Sequence, residues 1–311
     1  MKICIVGLGS IGCRHLKNIS KILKEKKQKF QIDAFRKTNT MLDPQIQCLI
    51  FDEYYDFDKL PKDYDIIFIT NPTSMHYDTI KEFSKNAKNL FIEKPVWSEF
   101  NKSIDDLNLK NDGQYYVACP LRYTNVVKWI KENIDPSKVF SIRAICSTYL
   151  PDWRPNIDYR QNYSAIEKLG GGVQLDLIHE LDYICYIFGK PKSCNSIIRR
   201  CSNLEISSMD TALYLLNFDT MVASVHLDYY GRSPKREIEI YVEDDVIVGD
   251  FIKNKIFFLK SNIIIDLEEQ RDEYQIEELY HFLKIINGET KNDNNLFYAN
   301  EILNIALGGQ F

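Results

Sequence analysis

Residues 2–16 read KICIVGLGSIGCRHL, and the fold follows from how this stretch divides. KICIV (2–6) is apolar and β-branched, as a buried strand should be, and GLGSIG (7–12) follows with no spacer. Beyond it Leu16, Ile19 and Leu23 recur at helical spacing, so the glycines stand between a strand end and a helix start. This is G-x-G-x-x-G in the setting where its chemistry works. Gly7 would make the tight turn, Gly9 would let a pyrophosphate approach the backbone, and Gly12 would let the helix pack closely on the strand. Helix N–H groups and the helix dipole would then hold the phosphates, with Ser10 and Ile11 lying between the glycines. The competing reading is a glycine-rich turn that binds nothing, and the flanking strand and helix weigh against it.

The next strand, FQIDAF (30–35), ends at Arg36, Lys37 and Thr38. A site that prefers NAD usually carries an acid here for the ribose 2′-OH, but Asp33 lies too early, inside the strand. Arg36 stands at the tip, where a guanidinium suits a 2′-phosphate or the adenine face, so NADP(H) is expected over NAD(H). The alternative is that these are loop cations. DIIFIT (65–70) is a continuous apolar run of the kind found in buried parallel strands. Thr70, Asn71 and Pro72 close it, and His76 sits near the start of the following helix. All four are assigned to the nucleotide, although His76 suits a structural role as well. NLFIEKP and YYVACP are two further strands. Alternation of strand and helix implies a doubly wound parallel sheet, whose ligands lie beyond the carboxyl ends of the strands. Glu93 and Lys94 fall at such an end. Pro95 fixes its own φ and steers Lys94 away from helix, so the lysine would be held facing the reactive half of the nucleotide.

The bulk numbers narrow the classes. A net charge of −5 argues against a nucleic-acid binder working through a basic field. The eight cysteines form no C-x-x-C pair, which fits reduced thiols in a cytoplasm better than a disulfide frame or a zinc site, and no metal is expected. No apolar run approaches the ~20 residues of a membrane span, and the start turns to glycine too early for a signal peptide. With 311 residues the chain has room for two domains, a dinucleotide-binding one over 1–120 and a second over 121–311.

After residue 120 the rhythm changes. LRYTNVVKWIKENI reads as a linking helix, with Arg122 at its head assigned to the substrate. VFSIRAICSTYL and later stretches from DTALYLLNF to KIFFLKSNIIIDL read as consecutive strands of a mostly antiparallel sheet, with helices at 273–287 and around 297–307. LGGGVQLDLIHELDYICYIFG (169–189), taken as one helix, carries an apolar stripe and an adjacent polar one of Gly172, Asp176, His179 and Tyr183. A carboxylate one turn from a histidine can tune its proton affinity. The bland alternative is a core helix with an incidental histidine. Before it, Arg154 and Arg160 are interleaved with Trp153, Tyr159 and Tyr163. Aromatic faces suit a sugar ring and arginine forks suit an anion, while an ordered loop with cation–π packing fits equally well.

GLGSIG, the EKP at 93–95 and GGGVQLDLIHELDY together resemble the Gfo/Idh/MocA oxidoreductase family, in order and over nearly the whole chain. The resemblance implies a Rossmann domain followed by an α/β domain with an open-faced, mostly antiparallel sheet. That sheet often joins copies, so a homo-oligomer, dimer or tetramer, is implied too. It further implies hydride transfer between NAD(P) and a carbinol or ketone carbon of a sugar or sugar derivative, a nucleotide sugar or sugar acid among them. Lys94 matches the family's proton-transfer lysine, and Asp176 and His179 match the acid and histidine of its later motif. Many members space those two residues by four, whereas here the gap is three, which leaves open which of them meets the substrate hydroxyl. Two other outcomes stay open: an epimerase or lyase that keeps its cofactor for transient oxidation, and a dinucleotide-binding sensor without catalysis.

Overall fold

Strand β1 (Lys2–Val6) lies in the middle of a six-stranded sheet in this computed structural model, which describes residues 1–270 and 272–309. Its partners are β2 (Gln31–Phe35) on one side and β4 (Tyr64–Ile69) on the other. β3 (Glu53–Tyr54) extends the sheet beyond β2, and β5 (Ala87–Ile92) and β6 (Gln114–Val117) extend it beyond β4. Every pairing is parallel. The residues of β1, β4 and β5 are buried almost throughout, which is why these strands are apolar on both faces. Helices α1 (Ser10–Glu25), the short α2 (Pro44–Gln47) and α3 (His76–Phe83) fall between strands, as a doubly wound sheet requires.

The chain forms two compact units, and its division is not the single cut at residue 120 expected from the sequence. The first unit contains residues 1–118 and 275–300, and the second contains 119–274 and 301–311. The physical reason for the return is a helix expected at 273–287 and found as α7 (Glu273–Ile286). Phe282 is fully buried against the rings of Phe91 and Tyr116 at 5.3 and 5.8 Å. Asn294 Nδ2 donates to the Val117 carbonyl at 2.7 Å, which pins the returning segment to β6.

In the second unit, α4 (Asn125–Asn133) is capped by Thr124, whose hydroxyl accepts from the Val127 N–H. It is followed by β7 (Val139–Tyr149), α5 (Val173–Asp176), α6 (His179–Phe188) and β8 (Ser193–Arg199). Then come β9 (Thr211–Asn217), β10 (Val222–Asp228), β11 (Tyr230–Val242), β12 (Val246–Asp250), β13 (Lys255–Phe258) and β14 (Ile263–Asp266). The eight strands form one sheet in the order β14-β13-β12-β11-β7-β10-β9-β8, antiparallel except where β7 meets β10. Buried Ile142, Ala144, Ile238 and Ile240 line its covered face, while Leu215, Ile197 and Val222 are more than half exposed. A last helix, α8, spans Leu296–Ala306. Among the described residues no helix is long and apolar enough to cross a membrane.

One helix expectation needs correction. Residues 173–188 are not one helix: α5 ends at Asp176, Leu177 and Ile178 form a turn, and α6 begins at His179. The break moves Tyr183 off the polar stripe and into the core, where it is fully buried and stacks on Phe251 at 5.2 Å.

Candidate active site

The glycine loop joins β1 to α1 as read. Gly7 has φ +93°, which favours glycine, and its N–H donates to the Phe35 carbonyl at 3.0 Å. A Cβ on Gly12 would collide with the Gly7 carbonyl and lie 2.7 Å from Thr70 Oγ1, whereas one on Gly9 would meet nothing within 4 Å. Gly9 and Ser10 are exposed, and the first turn of α1 has neither a side-chain cap nor an acidic residue. An uncapped helix N-terminus under an open glycine fits a dinucleotide's phosphates. Thr70 and Asn71 brace this loop: Thr70 Oγ1 donates to the Val6 and Gly7 carbonyls at 3.0 and 2.6 Å, and Asn71 Nδ2 donates to Thr79 at 2.7 Å. Ile11 is half-buried and Pro72 exposed.

Two residues assigned to the nucleotide have other partners. Arg36 is only 8% exposed; its Nη1 donates to Glu53 at 2.5 Å, and its Nη2 donates to the carbonyl and hydroxyl of Thr40. Burial opposes ionisation of Glu53, but hydrogen bonds from Arg36 and Tyr55 outweigh it and hold the carboxyl below its ordinary value. Thus Arg36 is not a free tip cation, because β3 supplies it with a carboxylate. Lys37 and Thr38 beside it are exposed. His76 is 1% exposed, with Nδ1 2.9 Å from the Pro95 carbonyl and Nε2 2.9 Å from the Asn71 carbonyl. It braces two loops from within, and burial, only partly offset by those carbonyls, keeps its proton affinity low.

Lys94 is half-buried at the carboxyl end of β5, and its peptide bond to Pro95 is cis. Glu93 beside it is buried: one oxygen meets His15 Nε2 at 2.5 Å and the other accepts the Lys94 N–H at 3.2 Å. Burial penalises the Glu93 charge, yet His15, Lys94 and His76 together hold its carboxyl below the usual value.

In the second unit a cavity of about 430 Å³ is walled by Asp176, His179, Trp153, Thr148, Lys235 and Tyr274, among others. Asp176 is 5% exposed, and both its oxygens receive phenols: Tyr163 donates to Oδ1 at 2.8 Å and the fully buried Tyr229 donates to Oδ2. Burial, with the Asp176 charge beside it, raises the Tyr229 pKa well above the ordinary phenol, so it stays a donor. Trp153 turns its ring edge-on to Tyr229 at 5.3 Å, and its Nε1 donates to Thr148 at 2.7 Å. Cys146 in the same wall is no nucleophile, since burial pushes its thiol to about 12. The structure therefore brings Asp176, His179 and Trp153 to one cavity.

The arginines expected at the substrate are otherwise engaged. Arg122 is buried and forks onto Asp182 of α6 at 2.8 and 2.6 Å, with Tyr186 4.6 Å beneath it. Arg160 is exposed and clamps Asp158 and Glu205 at 2.8 Å each, and the Tyr159 hydroxyl accepts the Glu205 N–H at 3.2 Å. Arg154 is exposed. Sequence reading missed His15, Glu53 and Tyr229. Only His15 left a signal, as a polar residue on the apolar side of α1 beside Leu16 and Ile19.

Among the described residues no cluster of three or more acid, histidine or cysteine side chains could hold a metal. Comparison with known proteins gives matches over both units. A model described as the oxidoreductase family, NAD-binding Rossmann fold, matches residues 1–113, and one for the GFO/IDH/MocA C-terminal domain matches 127–248. The uncharacterized oxidoreductase YrbE of Bacillus subtilis is 30% identical over 229 residues, covering 71% of this chain and 64% of YrbE. The chain thus spans somewhat under two thirds of that relative's length. Myo-inositol 2-dehydrogenase of Thermotoga maritima is 22% identical, over 91% of this chain and 87% of that one. A levoglucosan dehydrogenase solved with NADH and levoglucosan superposes with a TM-score of 0.82 at 15% identity, covering 99% of this chain and 95% of that one, a likeness of fold.

Proposed function

This chain belongs to the Gfo/Idh/MocA oxidoreductase family, and on that premise we propose that it transfers hydride between a nicotinamide dinucleotide and a carbinol or ketone carbon of a sugar-type substrate. The observation that carries the proposal is the cavity in which phenol-held Asp176 shares a wall with His179. Its volume suits a monosaccharide-sized ligand, and Trp153 offers an aromatic surface of the kind a sugar ring stacks on. Bound at the glycine loop, the dinucleotide would supply the hydride acceptor or donor. Lys94 is the residue we assign to the proton of the reacting hydroxyl. His179 is assigned to the same hydroxyl, with Asp176 orienting the substrate rather than accepting its proton. That division follows from the carboxylate already receiving two hydrogen bonds.

NADP(H) over NAD(H) remains the cofactor reading, now on a condition: Arg36 must exchange part of its contact with Glu53 for the 2′-phosphate, with exposed Lys37 and Thr38 alongside. The same proposal includes a homo-oligomer joined through the open sheet face, supported by exposed Leu215, Ile197 and Val222. It also includes a cytoplasmic setting, which suits eight free thiols.

The test begins with fluorescence titration of NADPH and NADH, followed by a screen of sugars, inositols and sugar acids for cofactor turnover. Lys94→Ala should then cut kcat by about a hundredfold or more while leaving dinucleotide affinity within about twofold. Full turnover by that variant would remove Lys94 from the mechanism. Product formed without net change in cofactor would replace the dehydrogenase reading with transient oxidation.

A further inference from the structure

Within the first unit, the phosphate-loop helix and the Lys94 segment are joined by one buried polar contact. His15 lies in the second turn of α1 and is 1% exposed. Its ring stands edge-on to Phe91 at 4.9 Å and tilts against Phe68 at 5.8 Å. Its Nε2 meets Glu93 at 2.5 Å, and its Nδ1 has no hydrogen-bond partner among the described residues. Among the described residues Glu93 is therefore the one polar tie of this histidine. The second Glu93 oxygen accepts the backbone N–H of Lys94 at 3.2 Å. Past the lysine, the Pro95 carbonyl is 2.9 Å from His76, whose other nitrogen faces the Asn71 carbonyl beside the glycine loop. The Lys94 backbone is thus gripped from both sides, by α1 through His15 and Glu93 and by the loop after β4 through His76.

A buried acid–histidine contact is an uneconomical way to pack a helix on a strand, since an apolar pair of similar volume would do as well or better. What it supplies is direction: a short hydrogen bond fixes distance and angle where apolar contact fixes neither. Resting on the proposed function, we infer that His15 and Glu93 are positioning residues that couple occupancy of the glycine loop to the pose of Lys94. Phosphates at the N-terminus of α1 restrain the helix; His15 carries that restraint to Glu93, and Glu93 carries it to the Lys94 backbone. The α1 arm of this grip runs through one histidine, so one substitution cuts it while the His76 arm stays in place.

Hydrogen exchange read by mass spectrometry tests this on the full chain, using NADH and NADPH as probes. In the unaltered protein, saturating dinucleotide should slow exchange in peptides covering 8–16 and in those covering 93–97, the latter by about fivefold or more. His15→Phe should keep protection at 8–16 and lose it at 93–97, and His15→Gln, which still donates to Glu93, should restore it. Because His15→Phe leaves a buried carboxylate unpartnered and could unfold, the paired variant His15→Leu/Glu93→Met serves alongside it. It removes both polar groups and should also lose the protection at 93–97 while β1 amides stay protected. Undiminished protection at 93–97 in either variant would overturn the coupling, as would its absence in the unaltered protein when 8–16 is protected. Failure of both dinucleotides to protect 8–16 would overturn the cofactor reading itself, and the coupling with it.

Discussion

Replacing Glu53 by Gln should shift cofactor choice toward NADPH, and the size of the shift can be worked from the Arg36 contacts. Arg36 Nη1 donates to Glu53 Oε2 at 2.5 Å, and the same oxygen accepts the Tyr55 hydroxyl at 2.7 Å. The other guanidinium nitrogen is committed to Thr40, 3.0 Å from its hydroxyl. Glu53 therefore holds the nitrogen that a 2′-phosphate would need, and its charge cancels the one the phosphate would seek. Two unit charges ~4 Å apart at an effective dielectric of ~20 attract by about 4 kcal/mol, the order of what the phosphate must compete with. Glutamine keeps the shape and the Tyr55 contact but removes the charge. Arg36 Nη1 then becomes available for a charge-assisted hydrogen bond worth about 1.5–3 kcal/mol, one that NADH has no group to accept.

At ~1.4 kcal/mol per factor of ten, this raises the ratio of NADPH to NADH affinity by about 10- to 150-fold. Paired fluorescence titrations of the two dinucleotides, at fixed ionic strength, measure the ratio directly. NADH affinity serves as the internal control and should move by less than about threefold, since neither the glycine loop nor the helix N-terminus is altered. A ratio unchanged within about twofold would refute the reasoning: Arg36 would then lie away from the ribose 2′ position, and the NADP(H) preference would lose its support.

Gly12→Ala should cost both stability and dinucleotide binding, because its Cβ would strike the Gly7 carbonyl and lie 2.7 Å from Thr70 Oγ1. A loss of about tenfold or more in affinity by titration is expected, in line with ~1–3 kcal/mol for overpacking. Arg122→Met should lower stability by about 3–5 kcal/mol, since it strands Asp182 in a buried site, and adding Asp182→Leu should recover most of that. Denaturant midpoints of the two variants check the difference; substrate affinity should follow stability and show no separate effect. Stability should also fall in acid through Glu93, whose carboxyl sits below its usual value near 4.5 in the folded chain. A depressed carboxyl stabilises above its unfolded pKa, and that contribution fades as pH drops through the folded one. The stability gap between the unaltered protein and Glu93→Gln should therefore be widest near neutrality and close below about pH 4.5.

The first unit was legible because its signals are local. A strand, three spaced glycines and a helix occupy consecutive residues, and backbone conformation alone decides whether they work, as the +93° φ of Gly7 illustrates. Pairings across sequence were not legible. Arg36 meets Glu53 from a strand seventeen residues on, and Asp176 meets Tyr229, fifty-three residues on, at the bend between β10 and β11. Nothing in either stretch read alone marks the partner, and without it Arg36 looks like a ligand for phosphate. The same blindness set the domain boundary too simply: it takes the burial of Phe282 among Phe91 and Tyr116, and the bond from Asn294 to Val117, to reveal that 275–300 belongs with the first sheet.

The spacing of Asp176 and His179 shows how two residues of a misread element can still reach one cavity. On an unbroken helix of ~100° per residue, residues three apart diverge by ~60° and residues four apart by ~40°, on opposite sides of the starting residue. A three-residue gap would therefore swing the histidine by ~100° from where a four-residue gap puts it. The chain does not keep the helix unbroken. Leu177 and Ile178 form a turn, Leu177 with φ −101° and ψ 28°, and α6 restarts at His179. The turn frees the histidine's direction from helical periodicity, and both side chains reach the wall of one cavity. Its cost falls on Tyr183, which the unbroken helix would have added to the polar face and which instead stacks on Phe251 in the core. Asp176 is held by the phenols of Tyr163 and Tyr229, so its orientation owes more to two tyrosines from other elements than to the helix that carries it.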